Sequence, residues 1–321
     1  MDVLADLLQR ARAHGAVFAV SVCPAPWGLL LDDELPLGVH VALDGPTWVC
    51  VDGELPVCLQ PGDLALVAAG RPHRLGSAPD VAVRTLDQVR AHRAPGEADV
   101  FVLPGDGPVS RVLCGAYRFH GDLCAQLVAA IPDLLVVRAG DLPHLRGIVD
   151  VMVDETSSAR PGRSVVLDRL LDVVLVEVVR WWFDRSTTDA PAWYRALHDP
   201  QIGAALRMIH ETPGRAWTVP ALARDVGLSR ATLARRFHEL VGVPPATYLT
   251  EWRMRVAAEQ LRDSDDDIGR IGRALGYTSD AAFSAAFRRI HGQSPSAARA
   301  AARRSSRGRP GHENAVVPVH A

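Results

Sequence analysis

The sequence predicts an α+β chain of two domains: an N-terminal β-barrel followed by a helical dimerisation segment, and an all-α C-terminal domain holding two helix-turn-helix units. Three observations predict it. Turn-forming clusters punctuate residues 17 to 102 about every ten residues, the rhythm of a small all-β barrel or sandwich. The text of residues 218 to 298 repeats itself after about fifty residues, which marks one supersecondary unit used twice. Residues 201–321 carry 18 Arg against 11 Asp plus Glu, and residues 1–200 carry 17 against 26. The formal net charge of -2 therefore conceals a basic module joined to an acidic one.

In the first domain the turn chemistry is Pro24-Ala25-Pro26, Asp32-Asp33, Asp44-Gly45-Pro46, Asp52-Gly53, Pro61-Gly62-Asp63 and Gly70-Arg71-Pro72. Between these clusters the apolar runs Val39 to Leu43, Thr47 to Val51, Val57 to Leu59 and Leu64 to Ala68 predict strands, and Val112 to Phe119 predicts a returning one. Helical patterns follow at Asp122 to Leu134, Leu142 to Ser157 and Ser164 to Phe183. In the last, Leu167, Leu170, Leu171, Val174, Leu175, Val178 and Trp182 recur at helical spacing on more than one face. Such a helix packs on the barrel and on something else, either its own domain or a second subunit. Residues 1–184 are thus assigned to the first domain, the polar stretch 185–199 to a linker, 200–300 to the second domain and 301–321 to a disordered tail.

The most apolar stretch, Val165 to Phe183, is interrupted by Asp168, Arg169, Asp172, Glu177 and Arg180. It falls short of the roughly 20 apolar residues of a membrane span. The start, Met1-Asp2-Val3-Leu4-Ala5-Asp6, lacks the basic and apolar regions of a secretory signal, so a cytoplasmic address is expected. The five cysteines (Cys23, Cys50, Cys58, Cys114, Cys124) are odd in number and lack C-x-x-C spacing. That excludes a disulfide framework and a zinc-ribbon pattern.

In the repeat, Gly227 matches Gly276, Phe237 matches Phe287, Gly242 matches Gly292 and Pro245 matches Pro295. The first copy opens at Thr218 and Pro220, carries Leu222, Ala223 and Val226, turns at Gly227-Leu228, and restarts at Ser229 with Leu233 and Phe237 facing inward. The second carries Ile268, Ile271, Ala274 and Leu275, turns at Gly276-Tyr277, and restarts at Thr278-Ser279 with Phe283 and Phe287 inward. Each is a helix-turn-helix. Ala246 to Arg262 joins them as one amphipathic helix of about 25 Å at about 1.5 Å per residue. That is comparable with the roughly 34 Å turn of B-DNA, so both units would meet successive major grooves on one face.

Leu222-Ala223, Gly227-Leu228-Ser229, Leu233, Arg235-Arg236-Phe237, Gly242, Pro245, Tyr248-Leu249, Arg253-Met254, Ala257-Ala258, Gly276-Tyr277, Phe283-Ser284, Ala286-Phe287, Gly292 and Ser294-Pro295 together resemble the AraC/XylS family of bacterial regulators over about 100 residues. The resemblance implies double-stranded promoter or operator DNA and RNA polymerase as partners and regulation of transcription, as activator or repressor; a homodimer is expected because one subunit covers only one pair of grooves. It implies Ala231, Ala234 and Arg235 as base-facing residues of the first recognition helix, flanked by Arg230 and Arg236. In the second it implies Asp280, Ala281, Ser284 and Ala285, entered through Ser279, with Arg288 and Arg289 on phosphates. Two positions depart from the family: Ala285 replaces a commonly basic residue, and Gly272 stands where Ala is usual. Loss of an Arg removes a bidentate guanine contact worth about 1–3 kcal/mol of discrimination, so most base reading is expected from the first unit.

Val39-His40-Val41, Gly62-Asp63-Leu64 and Gly70-Arg71-Pro72-His73 look like the two halves of a cupin barrel, so the first domain is similar to the cupin sensors of that family. A cupin-type metal-dependent enzyme is the competing reading. It needs two histidines one residue apart plus a carboxylate and a third histidine; only His40 and His73 stand here, with Ala42 at the second place. No cofactor is expected, and His40 and His73 are either weak metal candidates or ordinary strand-end residues. Cys23 and Cys114 match the redox-active pair of the reactive-chlorine-responsive branch. That implies a thiol switch, against which stands simple core packing of small residues. A sensor barrel implies control by a small-molecule or oxidant effector; a constitutive binder whose barrel is only a dimerisation scaffold is the third reading.

Overall fold

The structure is a computed structural model that describes residues 17–32, 36–68, 70–90, 100–117, 129–158, 160–185 and 190–307. It divides into two compact units, with the boundary between Tyr194 and Arg195.

In the first unit the expected barrel takes the form of two facing sheets. One has six strands in the order β11-β6-β3-β10-β1-β9: β1 is Val17–Pro24, β3 Leu37–Asp44, β6 Leu64–Ala68, β9 Val100–Val102, β10 Val109–Tyr117 and β11 Leu134–Val137. The other has five, β5-β4-β7-β2-β8, from β2 Gly28–Leu31, β4 Thr47–Val51, β5 Val57–Leu59, β7 His73–Gly76 and β8 Arg84–Thr85. Pairing is antiparallel except β1 with β9 and β2 with β8. Alternate residues of both sheets meet in one core: Ala42, Ala65, Val67 and Val112 from the first, Leu29, Leu31, Val49, Val51 and Leu75 from the second. All five residues of β6 are buried, because its outer face is covered as well. A short helix α1, Leu86–Arg90, follows β8.

The turns are set by their residues. Gly62 holds φ at +90°, a left-handed value that favours glycine, and a β-carbon there would meet the Ala139 side chain at 2.9 Å. Beside it the buried Asp63 accepts from the Gln60 and Ala139 amides and from Arg138 at 2.7 Å. Burial would raise this carboxyl, yet the three donors and the Arg138 charge outweigh burial and hold it below the usual carboxylate range.

Two helices cover the outer face of the six-stranded sheet, α2 at Leu145–Thr156 and α3 at Arg163–Arg185. Leu145, Val149 and Met152 of α2 and Leu167, Leu171, Val174, Leu175 and Val178 of α3 are buried. The buried Tyr117 hydroxyl at the end of β10 donates to the Leu171 carbonyl at 2.5 Å. Three expectations change here. Leu134 lies in strand β11 and does not close a helix; the rest of that expected helix, apart from residues 129–134, lies outside the described residues. The interval 185–199 contains a short helix α4, Ala192–Ala196. It forms because Tyr194 packs on Phe183 and donates to Asp184 at 2.8 Å. At the C-terminus the last helix continues to Arg307.

The second unit has seven helices among the described residues: α5 Pro200–Glu211, α6 Val219–Asp225, α7 Arg230–Val241, α8 Pro245–Asp263, α9 Ile268–Ala274, α10 Asp280–His291 and α11 Pro295–Arg307. The central helix α8 has 19 residues, about 28 Å at 1.5 Å each. Its buried Tyr248, Leu249, Trp252, Met254, Val256 and Leu261 form the spine of the unit. His210 of α5 stacks on Trp252 at 3.8 Å and bonds the Tyr248 hydroxyl at 2.9 Å, joining α5 to the first half of α8. His291 meets the Met254 carbonyl at 3.1 Å and joins α10 to the same helix. The described residues include no helix long and apolar enough to cross a membrane.

Candidate nucleic-acid interface

The two copies are built alike. Ser229 is extended and its hydroxyl accepts from the Thr232 amide, so α7 starts there; Ser279 accepts from the Ala282 amide and starts α10 in the same way. Gly242 and Gly292 end the two helices in left-handed backbone, each amide donating to the carbonyl four residues back. Leu233 with Phe237, and Phe283 with Phe287, are buried and turn the opposite faces of α7 and α10 outward. The two turns differ by one residue, since Ser229 comes two places after Gly227 and Ser279 three places after Gly276.

On α7, Arg230, Ala231 and Arg235 are exposed and Ala234 is half-buried. The exposed His238 extends this face by one turn; its helical spacing from Ala231 and Arg235 was the signal that sequence reasoning passed over. Arg235 pairs with Glu239 at 3.0 Å while its side chain stays 64% exposed. Such a surface pair is worth little and yields readily to a phosphate or base. Arg236 turns the other way. It donates to Gln201 at 2.6 Å and pairs with Asp199, which also accepts the Gln201 and Ile202 amides at the start of α5. Burial would raise the Asp199 carboxyl, but the Ile202 amide, Arg236 and the Gln201 amide outweigh it and hold it below the ordinary range. Arg236 is thus a strut between α5 and α7, set apart from the exposed face.

On α10, Asp280, Ala281, Ala285, Arg288 and Arg289 are exposed and Ser284 is half-buried. Ala281, Ser284, Ala285, Arg288 and Arg289 line a shallow depression of about 500 Å³. Its floor is small and apolar, the surface that suits a thymine methyl group, and its rim is basic. Asp280 faces Arg273 at 3.7 Å. Among the described residues no ion pair holds Arg230, Arg288 or Arg289, which leaves three guanidinium groups for phosphates.

The histidines of the first unit also come together. His40 on β3 and His73 on β7 join the two sheets through their Nε2 atoms, 2.7 Å apart. His73 Nδ1 donates to the Arg71 carbonyl at 2.9 Å. Its Nε2 therefore accepts from His40, whose buried Nδ1 has no partner. Two nitrogens about 2.05 Å from a tetrahedral zinc stand about 3.3 Å apart. The pair is spaced for a hydrogen bond, and the described residues offer no cluster of three His, Cys, Asp or Glu for a metal. The site does not fit the metal of a cupin enzyme.

Cys23 and Cys114 lie on neighbouring strands, but Cys23 is opposite Ser110 and Cys114 opposite Ala19. Four residues of strand, about 13 Å, separate them along the sheet. A disulfide spans Cα atoms about 4.4–6.8 Å apart, so bridging demands a backbone shift. Cys23 is fully buried. Burial, with Cys114 second, pushes its thiol well above the ordinary value, away from the low-pKa thiolate of a ready switch.

The family profile described as a cupin matches residues 2–184, and one described as a helix-turn-helix domain matches residues 222–301. An AraC-like transcription regulator of Streptomyces lividans is 31% identical over 92% of this chain and 97% of its own length. The chain belongs to the AraC-like transcription regulators with an N-terminal cupin domain. Another similar protein is the RCS-specific HTH-type transcriptional activator RclR of Escherichia coli K12, 24% identical over 92% of this chain and 96% of its own. The crystal structure of an AraC-type DNA-binding regulator from Chromobacterium violaceum is 28% identical and covers 36% of this chain and 99% of that one, with a TM-score of 0.32. In this AraC-type regulator the expected double helix-turn-helix and cupin-like sheets are both present.

Proposed function

We propose that this AraC-type regulator lays α7 and α10 in successive major grooves of promoter DNA, and that a signal received by the cupin unit alters that binding. The observation that carries the reading is the pair of serine-capped helices with outward faces, joined by one 19-residue helix of about 28 Å. Arg235 and the residues around Ala231 supply most base contacts, and Arg230, Arg288 and Arg289 position the protein on phosphates. The cupin unit is a sensor and not an enzyme. The chain acts in the cytoplasm and with RNA polymerase.

The same reading includes a homodimer through α2 and α3. Val151, Val166 and Val173 are 46%, 38% and 43% exposed. The contact of His144 with Glu177 at 3.1 Å sets the row of α2 that carries Val151 beside the row of α3 that carries Val166 and Val173. This surface is the second apolar side that the helix pattern requires.

Footprinting of the purified full chain on DNA flanking its gene, at several salt concentrations, tests the reading. Protection of two adjacent major grooves on one face, weakening steeply with salt, is expected. Uniform, sequence-independent protection would overturn it. Sedimentation of the chain carrying both Val166→Glu and Val173→Glu tests the dimer, with a monomer as the expected species.

A further inference from the structure

We propose that Arg253 is a positioning residue for DNA reading: from the middle of α8 it clamps the α5–α6 loop, which leads into the first helix-turn-helix, onto the α9–α10 turn of the second helix-turn-helix, and so fixes the separation of α7 and α10. The inference rests on the two-unit reading of DNA proposed above. Arg253 Nε donates to the Pro213 carbonyl at 2.7 Å and Nη2 to the Arg215 carbonyl at 2.8 Å, both in the loop between α5 and α6. On its other side the guanidinium stands 5.8 Å from the ring centre of Tyr277, in the α9–α10 turn of the second helix-turn-helix.

The loop and the turn also touch directly. A β-carbon on Gly214 would lie 2.0 Å from the Ala274 carbonyl oxygen, and one on Gly276 would lie 2.6 Å from the Gly214 oxygen and 2.8 Å from Arg253 Nη2. The two backbones meet only because both positions are glycine. The loop is itself tied to the first helix-turn-helix. Trp217 donates to the Thr212 carbonyl at 3.0 Å, Arg215 stacks over Trp217 at 4.0 Å, and Arg215 reaches Asp225 of α6 at 3.5 Å. Holding the loop therefore holds α6, and holding Gly276 and Tyr277 holds the start of α10.

A planar guanidinium with two directed donors grips two carbonyls at once, which a lysine ammonium does not do in the same geometry. When two reading heads are linked, binding of the second is intramolecular, and its advantage depends on how well the link matches the span of the two sites. The clamp sets that match. Neither Arg253 nor the loop lies on the exposed faces of α7 and α10, so its loss should spare each head alone.

The test uses the full chain and a DNA fragment selected by it from a random pool, together with copies in which either half-site is scrambled or the spacer is changed by one base pair. Affinity is read by fluorescence anisotropy and folding by thermal melting. For Arg253→Lys, and for Gly214→Ala, which wedges a methyl group into the same junction, the expected result is a loss of about tenfold or more on the intact fragment. Binding to either single half-site should change less than about twofold, and preference among spacers should flatten. An equal loss on single and paired half-sites, or an unchanged spacer preference in both folded variants, would overturn the clamp while leaving the DNA-binding reading intact. Failure of the unaltered chain to select any DNA would overturn that reading, and the clamp with it.

Discussion

The ring of Phe283 lies against the backbone of α9 at Gly272, where a β-carbon would stand 2.9 Å from Phe283 Cγ. Glycine inside a helix costs about 1 kcal/mol relative to alanine, so its presence at this position needs a reason. The reason is the fully buried Phe283, whose ring base takes the space of the missing methyl. Gly272→Ala should therefore destabilise the second unit by about 1 kcal/mol net, since overpacking of about 1–3 kcal/mol exceeds the helix gain. A melting temperature several degrees lower is expected; an increase would show that Phe283 repacks freely.

Arg235 and Arg236 are neighbours with opposite duties. Arg235→Ala should leave the melting temperature unchanged and weaken specific DNA binding by about 1–3 kcal/mol, roughly 5- to 150-fold, with relaxed preference at one base pair. Arg236→Ala removes a mostly buried partner of Asp199 and should cost about 1–2 kcal/mol of stability after allowance for its partial exposure. The two effects are separated by measuring melting and base preference on the same variants. Unchanged melting with altered base preference in Arg236→Ala would return that residue to the DNA-facing set.

What the sequence made legible was local. Thr47–Val51, Val57–Leu59 and Leu64–Ala68 are delimited by Asp-Gly and Pro-Gly turns, and the observed strands have these bounds. Ser229 and Ser279 start their helices because an N-cap acts within three residues. The strand Leu134–Val137 was hidden because a four-residue apolar run fits a helix end equally well. The extension of α11 to Arg307 was hidden for another reason. Its alanines and arginines include no large apolar side chain to mark a stripe, yet they are strong helix formers, and Arg299 reaches the Leu261 carbonyl while Arg303 pairs with Asp265. The duties of Arg236 and Arg253 could not be read, since their hydrogen-bond partners lie 35 to 40 residues away.

Mild oxidation of the folded, reduced protein should not join Cys23 to Cys114. The register separates them by about 13 Å along the sheet, and Cys23 is buried with its thiol pushed upward. Alkylation followed by mass spectrometry should modify the half-buried Cys58 before Cys23. A rapidly formed Cys23–Cys114 bridge with unchanged sheet pairing would contradict this geometry. A bridge accompanied by loss of amide protection in β1 and β10 would instead reveal a strand shift and restore the thiol switch.

The His40–His73 bond should make the first unit lose stability on mild acidification. Burial, with His73 second, holds the His40 imidazole well below the ordinary value of 6.5. In the folded state it stays neutral, while in the unfolded chain it takes up a proton as pH falls past about 6.5. Its contribution is thus fully present above that pH and is lost as pH falls toward the folded value, by up to about 1.4 kcal/mol per pH unit for one proton. Asp63 and Asp199 are held below 3.8 and lose their contributions only at lower pH. Denaturation midpoints between pH 7.5 and 5 therefore isolate the histidines. His40→Leu alone should cost about 1–3 kcal/mol, because it strands His73 Nε2 in the core, whereas the paired change of His40 and His73 to Leu should recover much of that loss and flatten the pH dependence. A slope that persists in the paired variant would assign the acid sensitivity to other groups and leave the bond between the sheets as packing alone.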